Sequence, residues 1–175
     1  AYNLSLLNSN SILMATVGED FSSYEKRLSK LDIVQDYVKE VTDSLTAQAY
    51  ITTDLDDNQI TAFHPGAMME SHQNSISSVT EKVDLAIVAP AGKEGMIKHA
   101  QECSEKNIPF IFDPGQGLPM FDKDELNTFI DQATFIAVND YEAELLIKVS
   151  ELSISKIQSK VCLLYTSPSP RDKHR

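Results

Sequence analysis

Basic residues are scarce in this sequence: 15 lysines and arginines face 26 aspartates and glutamates, for a net charge of −11. Nucleic-acid binding needs a Lys/Arg surface that displaces counterions from phosphates, and this balance excludes such a footprint. The same charge disfavours docking on an anionic membrane. No apolar run approaches the roughly 18 residues that span a bilayer, and the first residues do not form a secretory leader. Cysteine is scarcer still. Cys103 falls in a helix-patterned segment and reads as a half-buried structural thiol, whereas Cys162 opens a C-terminal tail of different character. One thiol makes no internal disulfide, so a cytoplasmic location is expected. His64, His72 and His99 are scattered without metal-ligand spacing. The GxxxxGK[ST], GxGxxG and GxSxG patterns are all missing, and no glycine follows Gly117. There is no internal repeat.

The tail is unusual in another way. Cys162 to Asp172 reads Cys-Leu-Leu-Tyr-Thr-Ser-Pro-Ser-Pro-Arg-Asp, and its reverse translation resembles a transposase-type sequencing adapter. Residues 162–175 are therefore expected to be a translation artefact, outside the fold. Setting them aside removes Arg171, Lys173 and Arg175 against Asp172 alone, so the remaining 1–161 is more acidic still. That length suits one domain.

Four short, continuous apolar runs stand out: Ile12–Val17, Leu85–Ala89, Pro109–Phe112 and Phe135–Val138. Strands covered by helices on both faces of a parallel sheet read this way. Helix-period segments lie between them. Phe21, Tyr24, Leu28 and Leu31 share one stripe over 20–31, as do Met96, Ile97, Ala100 and Cys103 over 95–106. Asp122–Ala133 opens with acids, as the helix dipole favours, and turns Leu126, Phe129 and Ile130 inward. Helices are also expected over 141–149 and 150–157. The alternation predicts an α/β fold built of crossover units. Leu45–Thr53 and Gln59–His64 flank the turn cluster Asp54–Asn58 and predict a projecting β-hairpin, with Asp36–Val41 as a third flap strand.

Two strand ends carry chemistry. Asn139-Asp140-Tyr141-Glu142 follows a predicted strand and opens a helix, at the sheet edge where open α/β folds bind ligands. Asn139 and Glu142 could orient a hydrated Mg²⁺ and phosphates, or they could be a capping box. Asp113-Pro114-Gly115-Gln116-Gly117 also follows a strand; it reads equally as a ligand approach or as a plain turn. Gly18-Glu19-Asp20 reads as the start of a helix.

The order of these segments resembles the ribokinase, or PfkB, family of carbohydrate and nucleoside kinases, and especially its adenosine-kinase-like bacterial members. The stretches that carry the resemblance are ATVGEDF (15–21), TAQAYITTDLDDNQITAFHPGAM (46–68), IPFIFDPGQGLPMF (108–121) and FIAVNDYEAELL (135–146). AYNLSLL resembles the helix that follows the family's Gly-Gly-x-x-x-Asn motif. The resemblance covers 1–161 and implies a ribokinase-like fold, a mainly parallel sheet with a small β-lid over about 36–64, incomplete at both ends. It implies ATP and Mg²⁺ as cofactors, and γ-phosphoryl transfer to a hydroxyl of an adenosine-like nucleoside, with a sugar as the alternative acceptor. Asn139 and Glu142 would position phosphate and metal, Glu142 through water, and Asp113 would lie near the transfer site. Ala47, Ala49, Ile51 and Phe63 of the lid would meet the acceptor. Lids of this family pair across homodimers. The general base belongs to a Gly-Ala-Gly-Asp motif that this chain lacks, so the chain alone is expected to be inactive. A non-catalytic fragment that binds a partner is the remaining alternative.

Overall fold

The computed structural model describes residues 1–165, which form two units, Ala1–Asn74 and Ser75 onward. In the first unit α1 (Tyr2–Leu6) precedes β1 (Ile12–Val17), α2 (Ser22–Ser29) and β2 (Val34–Glu40). β1 and β2 pair in parallel, from Ile12 opposite Val34 to Val17 opposite Glu40. The chain then forms an antiparallel hairpin, β3 (Gln48–Thr53) and β4 (Gln59–His64), and a 3-10 helix over Gly66–Gln73. The expected third flap strand is therefore corrected. Residues 36–41 belong to β2, which is joined to β1 by a helix and so pairs parallel with it, as a crossover requires. The hairpin itself is 48–64.

The second unit repeats strand and helix: β5 (Ala86–Val88), α3 (Lys93–Glu105), β6 (Phe110–Phe112), α4 (Lys123–Gln132), β7 (Phe135–Val138), α5 (Asp140–Ser150), α6 (Ile154–Lys160) and β8 (Cys162–Tyr165). These strands form one parallel sheet in the order β5-β6-β7-β8. Three of the four apolar runs thus lie in this sheet, and the fourth, β1, has its ladder with β2. The first residues of the adapter-like tail, expected to lie outside the fold, instead supply the edge strand β8 through the apolar run Cys162-Leu163-Leu164-Tyr165. Residues 166–175 of that tail lie outside the described residues.

One face of the sheet builds the core: Val88, Phe110, Phe112, Ile136 and Val138 are buried under the helices, while Ile87 on the other face is 58 % exposed, so the expectation of helices on both faces is corrected for the described residues. Phe112 of β6 stacks on Phe129 of α4, with centroids 4.1 Å apart and planes 7° from parallel. Phe121 meets both rings edge-on, at 6.1 and 5.1 Å. α4 begins with a capping box, in which the Asp122 side chain accepts from the Glu125 N–H and Glu125 accepts from the Asp122 N–H. Cys103 is fully buried rather than half-buried, at 0 % exposure. Burial first, and the Glu102 charge second, push its thiol up to about 11 from 9.0. Because the folded-state value is raised, this contribution to stability is intact below 9.0 and is lost as pH rises towards 11. At pH 8 the thiolate fraction is lowered about a hundredfold. Iodoacetamide is therefore expected to spare Cys103 in the native protein and label it after unfolding, as read by peptide mass spectrometry. Rapid native labelling would contradict the buried placement.

No helix among the described residues is long and apolar enough to cross a membrane.

Candidate active site

At the end of β6 the Asp113 N–H donates to the Val88 carbonyl at 3.0 Å, continuing the ladder one residue past the strand. Buried Pro114 then turns the chain into a 3-10 helix over Gly115–Met120. Gly115 has φ +48°, and a Cβ there would stand 2.8 Å from Pro90 Cγ. The turn therefore demands glycine on both counts. Asp113 is half-buried, and the Gly115 N–H donates to its carboxylate. Burial raises the Asp113 pKa, and the negative charge of Glu142 raises it further; the Gly115 hydrogen bond opposes both.

At the end of β7 the sequence left a cap and a ligand site as alternatives. The cap is fully formed. Asn139 Oδ1 accepts from the Glu142 N–H at 2.8 Å, and Glu142 Oε2 accepts from the Asn139 N–H at 3.0 Å. This reciprocal pair uses one oxygen of each side chain, and Asn139 Nδ2 and Glu142 Oε1 lie outside it. β6 and β7 are neighbouring parallel strands, so Asp113 and Asn139 leave the sheet at the same carboxyl-end edge. Two half-buried carboxylates that repel each other there are suited to a cation. No group of three or more His, Cys, Asp or Glu side chains among the described residues could hold a metal. Glu142→Gln removes the repelling charge while keeping the cap. It is expected to lower the Asp113 pKa towards the ordinary 3.8, as followed by carboxyl NMR titration; an unmoved titration would show that the two carboxylates do not interact.

The hairpin pairs Ala49 with Phe63 and Ile51 with Thr61, so Ala49, Ile51 and Phe63 share one face. Ala47 just precedes β3 and is half-buried. The opposite face carries Gln48, Tyr50 and Ile60. Both faces are exposed, with Phe63 54 % and Ile60 78 % accessible. Gly18-Glu19-Asp20 does not cap α2, whose N-cap is Phe21 without a side-chain bond. Instead the Gly18 N–H donates to Thr46 Oγ1 at 3.0 Å, the Thr46 N–H to Asp20 Oδ1 at 2.8 Å, and Gln48 Nε2 to Asp20 Oδ2 at 2.9 Å. The backbone and then the hydroxyl of Thr46 hold the Asp20 carboxyl below its usual range. Sequence reasoning missed this set, because its partners lie 26 and 28 residues away.

Residues 1–161 match the profile of the pfkB family carbohydrate kinases. The chain belongs to this family. A nucleoside kinase of Methanocaldococcus jannaschii is 34% identical over 146 residues, which are 82% of this chain and 47% of that protein. Among solved structures, the Burkholderia thailandensis nucleoside kinase in complex with inosine shares 48% identity and a TM-score of 0.92 over 95% of this chain and 56% of that one. The M. jannaschii nucleoside kinase structure matches with a TM-score of 0.87 at 30% identity, over 97% of this chain and 56% of that one. The ribokinase-like fold is thereby established. The chain spans about half the length of these pfkB-family relatives.

Proposed function

We propose that the complete protein is an ATP-dependent nucleoside kinase that transfers the γ-phosphoryl group to a hydroxyl of an adenosine-like purine nucleoside. The observation that carries this reading is the β7–α5 junction, where a capping box joins Asn139 to Glu142 and the Glu142 charge bears on Asp113. The likeness to the nucleoside kinase solved with inosine favours a nucleoside over a free sugar.

Phosphoryl transfer depends on positioning and charge stabilisation more than on covalent help from the protein. In this reading Asn139 and Glu142 orient phosphate oxygens at the mouth of the sheet. A magnesium ion held there through water by Glu142 would neutralise phosphate charge. Asp113, with its raised pKa, adds polarity at the same edge. In this reading Ala47, Ala49, Ile51 and Phe63 of the hairpin contact the nucleoside. Tyr50 and Ile60 on the other face suit pairing with a second copy in a homodimer, and the working compartment is the cytoplasm. In this reading transfer belongs to the complete protein, and the chain by itself is expected to show none.

Ligand binding to the native state alone stabilises by mass action, by about 2.7 kcal/mol at a hundred times Kd. Inosine or adenosine is therefore expected to raise the Tm of the complete gene product by several degrees, and ribose at equal concentration much less. The reverse ranking would move the assignment to a sugar kinase.

A further inference from the structure

The hairpin is fastened to the rest of its unit at its base. The incoming segment Ser44–Thr46 passes between two glycines that tolerate no side chain. A Cβ on Gly18 would stand 2.2 Å from the Ser44 carbonyl oxygen, and one on Gly66 (φ +47°) would stand 2.1 Å from that of Leu45. The Ala67 N–H donates to the same Leu45 carbonyl at 2.8 Å, and the Glu19 N–H donates to Ser44 at 3.1 Å. Backbone contacts thus hold the chain in position as far as Leu45. Asp20 carries the hold further. Its two oxygens divide between the backbone of Thr46 and the side chain of Gln48, so one carboxylate spans the last residues before β3 and the first residue in it. Gln48 in turn accepts from the Tyr50 hydroxyl, which carries the connection up the strand. Gln48 and Tyr50 lie on one face of the hairpin, and Ala49, Ile51 and Phe63 lie on the other.

We infer that Asp20 is a positioning residue for the acceptor: through Gln48 and Tyr50 it braces the back of the hairpin and so sets the attitude of the apolar face opposite. Asp20 touches no ligand. The inference rests on the hairpin serving as the acceptor lid, but the brace itself can be tested without any ligand.

Asp20→Ala and Asp20→Asn separate the two. Hydrogen exchange of the 175-residue chain should show the amides of Thr46, Gln48–Thr53 and Gln59–His64 exchanging about tenfold faster in Asp20→Ala. The β2 amides of Val34–Glu40 should be unchanged. Asp20→Asn, whose amide oxygen still accepts from the Thr46 N–H, should recover part of the protection. In the complete enzyme Asp20→Ala should raise the nucleoside KM about tenfold, with little change in the KM for ATP or in kcat. Unchanged hairpin exchange, or loss spread equally over β2, overturns the brace. A loosened hairpin with an unchanged nucleoside KM overturns the positioning role. If the unsubstituted complete enzyme phosphorylates no nucleoside, the proposed function falls, and the exchange data still decide whether Asp20 braces the hairpin.

Discussion

Glu142→Gln is expected to lower kcat of the complete enzyme by about a hundredfold while leaving its melting temperature unchanged. Glutamine serves at the third position of a capping box as glutamate does, so the hydrogen bond from the Asn139 N–H survives the change. What is lost is the negative charge beside Asp113 and, with it, the group proposed to hold a hydrated metal ion. Asn139→Ala makes the opposite cut. It removes the acceptor for the Glu142 N–H and should cost about 1 kcal/mol of stability. Asn139→Asp restores the cap but not the amide. Steady-state kinetics and thermal melts on these three variants separate the two roles of the junction. If Glu142→Gln keeps full kcat, the pair is a helix cap and nothing more.

The second large effect is on folding. Phe129 is 2 % exposed and stacks on Phe112, with Phe121 closing the trio edge-on. Truncating it removes the transfer free energy of a large ring, leaves a cavity and breaks two aromatic pairs. Phe129→Ala should therefore cost about 3–5 kcal/mol. A domain is stable by only about 5–15 kcal/mol, so the variant should lose most of its margin. Its far-UV circular dichroism melt should begin well below that of the parent and broaden. Phe63→Ala is the control. The same ring, 54 % exposed on the hairpin, should change stability by no more than about 0.5 kcal/mol. Equal destabilisation by the two substitutions would contradict the placement of the core.

Much of this architecture was legible because buried parallel strands announce themselves. Phe110-Ile111-Phe112 and Phe135–Val138 are apolar at every position, although in the described residues only the face of Phe110, Phe112, Ile136 and Val138 is buried under helices. Asp122 marked the start of α4 with the acids and spacing of a real cap. β2 was harder. Val-Gln-Asp-Tyr-Val-Lys-Glu alternates as a half-exposed strand does, and nothing local says whether its neighbour is the hairpin or β1. β8 was set aside on a likeness to foreign sequence, yet Cys162–Tyr165 has the composition of a strand and pairs as one.

The site divides in the same way. Asn139 and Glu142 are three residues apart, so both their possible roles were visible together, and the structure shows the cap in full. That Glu142 bears on Asp113 depends on β6 and β7 being neighbours, which only the sheet order reveals. Asp20 looked like a helix-start acid because its real partners, Thr46 and Gln48, belong to a distant strand.

The most direct test of the central claim is a competition assay on the complete gene product, with ATP, Mg²⁺ and equal inosine and ribose, read by mass spectrometry of the phosphorylated products. The account predicts that inosine monophosphate dominates and that its formation collapses in Glu142→Gln. Ribose phosphate as the main product would contradict the nucleoside assignment, and undiminished transfer in Glu142→Gln would contradict the site.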